Sequence, residues 1–291
     1  YRFASSNLMS TVMSSTAGEF QFIKLEIEDD TGLAWLTLNR PEKLNALHVP
    51  AVRELREALR RIAASSAKAL LLVAAGRGFC AGADLNLRAF SDAPTAPAKA
   101  PAKPDNSMQE AWNPFIEELR SFPKPTLAVV QGPTAGGGVG VALATDITIA
   151  NRSAYFVLTF TPTLGICPDL GVTWQLVRRI GRGKALPLAL LGDRLPAAEA
   201  ERCGLIWATY EDAELLKRAR DMALRLTKLP HQAVRLVRDA VDSGSTNSLP
   251  AQLEVERLAQ AKLFQDPESK RLMAARSKTF QKSKPKPAAK L

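Results

Sequence analysis

The sequence predicts a layered α/β protein, on three observations. Residues 22–74 read as strand, strand, helix, strand, with the helix crossing over to the next strand. A glycine-rich stretch, Gly132-Pro133-Thr134-Ala135-Gly136-Gly137-Gly138-Val139-Gly140, joins an apolar β-leaning run to an apolar run that can start a buried helix. From Arg178 onward the pattern is helical through Leu263.

The elements follow in chain order. Phe22, Lys24, Glu26 and Glu28 alternate with Ile23, Leu25 and Ile27, the period of a strand. Asp29-Asp30-Thr31-Gly32 turns the chain into a second strand, Leu33 to Leu38, which Asn39-Arg40-Pro41 stops. Val52, Leu55, Leu59 and Ile62 share one helical face, with Arg53, Arg56, Arg60 and Arg61 mostly outside it. Ala69 to Ala74 is a buried strand, ended by Gly76-Arg77-Gly78. Residues 91–107 are rich in Pro and Ala, lack core residues and read as a mobile surface loop. Trp112 to Leu119 resumes as helix and ends near Pro123-Lys124-Pro125. Thr126 to Val130 is a strand, Val139 to Ala144 a buried helix and Ile147 to Ala150 a short strand. The helical half comprises Ala185–Leu191, Pro196–Cys203, Ala213–Thr227, Gln232–Ser243 and Ala251–Leu263. His48 falls at a turn and His231 at a helix start. Neither has a nearby Ser or Cys nucleophile in sequence or a metal-ligand pattern, so both read as structural.

The glycine stretch has two readings. Glycine permits positive φ and close approach of another group to the backbone. A helix N-terminus carries amide N–H groups without internal acceptors, backed by partial positive charge. Strand, glycines and helix can therefore present backbone donors to a developing negative charge, or simply let a helix pack tightly on a sheet. Dinucleotide and phosphate-loop motifs are excluded. Val141 stands where a third glycine would follow Gly136 and Gly138, and Gly138 stands where a phosphate loop needs lysine.

Composition narrows the class. A chain of 291 residues, 46% hydrophobic and 23% charged, can build a full globular core. No apolar run approaches the roughly 20 residues that span a bilayer. Cys80, Cys167 and Cys203 are few, odd in number and outside metal spacing, which points to a reducing, cytoplasmic setting. The net charge of +10 is concentrated at one end: residues 270–291 hold eight basic side chains and no acid, leaving 31 basic against 29 acidic residues elsewhere. A nearly neutral body argues against a nucleic-acid surface. Residues 1–18, Ser-, Thr- and Met-rich with Arg2 as the one charge, read as a disordered arm or a remnant of cloning.

Three passages together carry a family resemblance: Thr37-Leu38-Asn39-Arg40-Pro41-Glu42-Lys43-Leu44-Asn45-Ala46-Leu47, Gly76-Arg77-Gly78-Phe79-Cys80-Ala81-Gly82-Ala83-Asp84-Leu85, and the glycine stretch ending in Asp146. In this order and spacing the chain resembles the enoyl-CoA hydratase/isomerase (crotonase) superfamily over residues 22–280. The resemblance implies a crotonase fold, a spiral of β-β-α units with a C-terminal helical trimerisation region. The expected divisions are an arm at 1–18, a spiral core at 19–210, a helical oligomerisation region at 211–280 and a basic tail at 281–291. It further implies an acyl-CoA thioester substrate, a homotrimer or a hexamer of paired trimers, and no separate cofactor, since coenzyme A is part of the substrate. By motif position the backbone N–H groups of Ala83 and Gly137 would hold the thioester oxygen, an oxyanion hole. Lys43, Leu44, Ala81, Ala83, Asp84 and Leu85 would approach coenzyme A. Some relatives bind AU-rich RNA, which the basic tail would suit and the neutral body would not.

The acid–base residues must then decide the reaction. The two glutamates of family hydratases would fall at Gly140 and near Phe160, neither of which can move a proton; a hydratase would need another carboxylate, such as one from 91–107. Leu164-Gly165-Ile166-Cys167-Pro168-Asp169-Leu170-Gly171-Val172-Thr173-Trp174 offers Asp169, with apolar flanks that would raise its pKa. On the residues alone Asp169 could equally cap the following helix. The passage resembles the ring-1,2-epoxyphenylacetyl-CoA isomerase subgroup of phenylacetate degradation, where an aspartate in a Pro-Asp-x-Gly-Gly-Thr-Trp context is the acid–base. Trp112-Asn113-Pro114, Ala189-Leu190-Leu191-Gly192 and Thr246-Asn247-Ser248-Leu249 with Gln252-Leu253-Glu254 agree. Val172 departs from the pattern's glycine and is expected to narrow the acyl pocket; the long 91–107 loop is a second departure. The resulting expectation is an acyl-CoA isomerase, acting on a ring epoxide or shifting a 3-enoyl to a 2-enoyl thioester, with Asp169 moving the proton.

Overall fold

The computed structural model describes residues 14–15, 20–85 and 106–282, with side chains described from 20 to 277. Most of the expected arm, residues 91–105 of the expected loop and most of the basic tail lie outside the described residues. Ser14–Ser15 (β1) pairs antiparallel with Ile23–Ile27 (β2), which pairs antiparallel with Leu33–Leu38 (β3) across the Gly32 turn. From β3 the sheet continues in parallel through Ala69–Ala74 (β4), Thr126–Val130 (β5), Ile147–Asn151 (β7) and Ala208–Tyr210 (β10). Pro133–Ala135 (β6), Tyr155–Val157 (β8) and Leu195–Pro196 (β9) form a second sheet of three strands.

Period-two alternation explains the layers. Leu36, Leu38, Leu70 and Leu72 face one core with the apolar stripe of α1 (Val49–Ala64), while Leu33, Leu71, Val73, Leu127 and Val129 face another. A parallel sheet buried on both faces needs helices on both sides. On the first side lie α1, α2 (Asn113–Arg120), α3 (Gly137–Leu143), α4 (Val172–Leu191) and α5 (Ala197–Arg202). The second side is covered by α6 (Leu215–Leu226), through Leu215, Ala219 and Ala223. Although the division expected at residue 210 puts this helix with the C-terminal region, its small-residue face sits on the sheet. The compact units divide between Thr227 and Lys228.

The second unit contains α7 (His231–Gly244), α8 (Leu249–Leu263) and α9 (Pro267–Lys282). Gln252 ties its first two helices: its Nε2 donates to the Ala240 carbonyl at 2.8 Å, and its Oε1 accepts from Asn247 Nδ2 at 3.1 Å and Ser243 Oγ at 3.2 Å. Val237, Val241, Leu249, Leu253 and Phe264 remain more than half exposed there. Among the described residues no helix is long and apolar enough to cross a membrane.

Candidate active site

The chain between β3 and α1 is held by one buried amide. Leu44 and Asn45 both take left-handed φ, 48° and 56°. Asn45, 1% exposed, accepts from the Arg40 N–H at 2.8 Å and donates to the carbonyls of Ala75 and Gly78 at 2.8 and 2.9 Å. Leu47 then bridges Ala83 in parallel: its N–H donates to the Gly82 carbonyl at 2.8 Å and its carbonyl accepts from the Asp84 N–H at 2.7 Å. Bonds on both sides of Ala83 thus run to Leu47, which leaves the Ala83 N–H facing the other way. Asp84 is buried against Arg40 at 2.9 Å, so its carboxylate clamps the two loops.

The glycine stretch abuts this loop. Gly82 has φ +90°, and a Cβ there would meet the Ala135 carbonyl oxygen at 2.9 Å and the Gly137 nitrogen at 3.3 Å. Beneath it Cys80 is buried; its Sγ accepts from the Gly82 N–H at 3.4 Å, and burial pushes the thiol up to about 12. Gly136 precedes α3 with φ 52° and ψ −127°, a conformation that requires glycine. Among the described residues neither the Ala83 nor the Gly137 N–H has an acceptor.

Both residues line a cleft of about 370 Å³. Its walls are mostly apolar. Met108 and Trp112 come from a π-helical turn, Met108–Trp112, and Phe160 and Leu164 from another, Phe160–Leu164. Ile166, Leu170 and Leu85 add to them. Two carboxylates occur among the described lining residues, Asp84 and Asp169. With Asp84 committed to Arg40, Asp169 is the one open to chemistry.

Asp169 is half-buried, and burial raises its pKa above the usual carboxylate value, partly offset by its own backbone N–H. A Cβ built on Gly137 would lie 3.8 Å from Asp169 Oδ1, which places the carboxylate beside the Gly137 donor. It does not cap α4. The N-cap is Gly171, in the left-handed region, without a side-chain cap bond. Leu170 also takes a positive φ of 50°, a strained state for a branched residue. Consecutive left-handed residues turn the chain sharply after Asp169.

Ala81, Ala83, Asp84, Leu85, Gly137 and Asp169 therefore meet at one cleft. Lys43 and Leu44 are not among its described lining residues; Lys43 is exposed at the end of the 3-10 turn Pro41–Lys43. Val172 does not narrow the cleft. It is fully buried in the first turn of α4, with Cγ2 3.1 Å from the position of a Cβ on Gly140. His48, read from sequence as structural, also lines the cleft. Its signal was its place before Val49-Pro50 at a helix start, but histidine is not among the favoured cap residues. No cluster of three or more His, Cys, Asp or Glu able to hold a metal ion occurs among the described residues.

Comparison with known proteins gives this site a family. The enoyl-CoA hydratase/isomerase family profile matches residues 28–285, and the chain belongs to that family. It is 42% identical over 240 residues to the 1,2-epoxyphenylacetyl-CoA isomerase of Escherichia coli, covering 81% of this chain and 88% of the relative. A relative from Rhodobacter capsulatus that carries an enoyl-CoA hydratase name is 38% identical over 246 residues, covering 84% and 91%. Among solved structures, an enoyl-CoA hydratase from Polaromonas superposes with a TM-score of 0.78 at 28% identity, covering 91% of this chain and 98% of the other. The crotonase fold expected from the sequence is thus the fold observed.

Proposed function

We propose that the protein is an acyl-CoA isomerase that moves one proton with Asp169 while the Ala83 and Gly137 N–H groups hold the thioester oxygen. The observation that carries this reading is the position of Asp169: half-buried, raised in pKa, unpaired with any cation in the described structure, and next to the Gly137 donor. Its carboxylate takes a proton from Cα of a 3-enoyl thioester. The electron pair of that C–H bond moves toward the thioester carbonyl, and the negative oxygen is stabilised by two preorganised donors. Return of the proton at the far end of the dienolate gives the 2-enoyl isomer. For a ring-epoxide thioester the same donors support opening toward an oxepin, the reading favoured by the Escherichia coli relative's name.

The hydratase name of the Rhodobacter relative supports a second reading. Against it stands Gly140, where a hydratase glutamate would fall. A Cβ there would lie 2.5 Å from the Leu170 carbonyl oxygen and 3.0 Å from Leu170 Cβ. Wild-type protein should therefore bind crotonyl-CoA and hydrate it negligibly, and Gly140→Glu should fail to introduce hydration because it displaces the Asp169 turn. Absorbance at the enoyl band checks both. Hydration near 10 per second, an ordinary enzyme rate, would move the assignment to the hydratase.

We also propose a homotrimer or a hexamer, supported by the exposed apolar side chains of the second unit. Light scattering should give a mass three or six times that of one chain.

A further inference from the structure

We infer that His48 is a positioning residue for the Ala83 N–H, acting through the first turn of α1 and the Leu47 bridge. The inference rests on the proposed role of Ala83 and adds a residue whose part in the site is set by its ring tautomer. His48 is the N-cap of α1, with extended φ and ψ of −141° and 165°, and its Nδ1 accepts from the Ala51 N–H at 3.0 Å. An imidazole nitrogen that accepts carries no proton, so the neutral ring holds its proton on Nε2. The edge of the Phe22 ring packs at 4.4 Å and 83°, which restricts rotation of the imidazole.

The next residue back is Leu47, bonded in both directions to the loop that carries Ala83. The cap and the bridge sit on covalently adjacent residues, His48 and Leu47, and the bridge bonds the residues on either side of Ala83. Loss of the cap frees the backbone that aims the Ala83 donor.

The charged groups around the ring do not replace the cap. Arg40 lies 5.7 Å from the Phe22 centroid and is paired with Asp84. Glu54, on α1, accepts from the Gln21 and Phe22 N–H groups. Asp169 lines the cleft from the segment before α4.

A misaimed donor weakens transition-state binding more than substrate binding, so kcat should fall by a larger factor than affinity for a saturated thioester. His48→Asn keeps an acceptor for the helix amide without titrating, and His48→Ala keeps none. The chain has two histidines, so His48→Asn also assigns the ring nitrogen signals. At neutral pH the 15N spectrum of the wild type should place the His48 proton on Nε2. His48→Ala should lose roughly fivefold in kcat, the equivalent of one helix cap, with butyryl-CoA affinity unchanged within about twofold. His48→Asn should recover most of that loss, because its side chain still accepts from the Ala51 N–H. A proton on Nδ1, a His48→Asn variant no more active than His48→Ala, or a His48→Ala variant as active as wild type would each overturn the inference.

Should His48→Ala not fold, the tautomer and the kcat of His48→Asn decide, a large fall in the latter overturning the inference. Failure of the underlying reading looks different: wild type then turns over neither a 3-enoyl nor a ring-epoxide thioester while the tautomer stands. In that event the inference falls with the reading it rests on.

Discussion

Asp169→Asn is expected to lower kcat for isomerisation of a 3-enoyl thioester by a factor of roughly 10² to 10⁴, the usual size of a general acid–base contribution. Affinity for a saturated acyl-CoA, measured by calorimetry, should hardly change, because both backbone donors remain. Stability should rise. Burial raises the Asp169 pKa in the fold above its ordinary value of 3.8, so the charged carboxylate is harder to hold in the folded chain than in the open one. That penalty is full above the folded pKa and vanishes below the ordinary one. The variant should therefore melt higher than wild type at neutral pH, with the gap closing as pH falls toward 3.8. Near-normal turnover in the variant would remove Asp169 from the mechanism. Lost turnover with lost affinity or a lower melting temperature would return the residue to a structural role, one the absence of a cap bond already disfavours.

Gly82→Ala is expected to lower kcat by roughly 10² to 10³, the loss typical of one oxyanion donor. The new methyl meets backbone on both contacts, the Ala135 oxygen at 2.9 Å and the Gly137 nitrogen at 3.3 Å, where no flexible side chain can yield. The φ of +90° adds strain for any L residue. Relief requires the two loops to part, which separates the Ala83 and Gly137 donors. Because a 3-enoyl thioester would also use these donors on the proposed function, binding should weaken, though less than kcat. An active Gly82→Ala variant with wild-type kcat would show that the donors do not act as a pair.

A need for glycine in these loops was legible in the sequence, because such backbone geometry leaves few residue choices; which N–H groups they would present came only from the family resemblance. Asp169 was legible only as one of two possibilities. Capping and catalysis ask for the same residue type before a small-residue turn, and only the coordinates show that Gly171 takes the N-cap position. Where structure and expectation differ there is a common cause. Val172 was expected at the acyl pocket and α6 in the C-terminal region from the family resemblance, yet the partners that bury them, Gly140 and the strands β3 to β5, lie far off in sequence. Periodicity reports that a face is apolar and not what it meets. His48 was read as structural for a different reason: a histidine cap has no characteristic spacing, and its place in the cleft shows only once Leu47 is seen to bridge Ala83.

Cys80 shows what such a site must withstand. Epoxides and unsaturated thioesters, the substrates proposed above, are alkylating agents, and Cys80 lies against the loop that carries Ala83. Burial pushes its thiol up to about 12, away from the reactive thiolate, and its Sγ accepts from the Gly82 N–H. The exposed Cys167, two positions from Asp169, lacks that shelter. On the proposed function, alkylation by substrate should therefore fall on the outer cysteine before the inner one, and the outer one would set the protein's working lifetime.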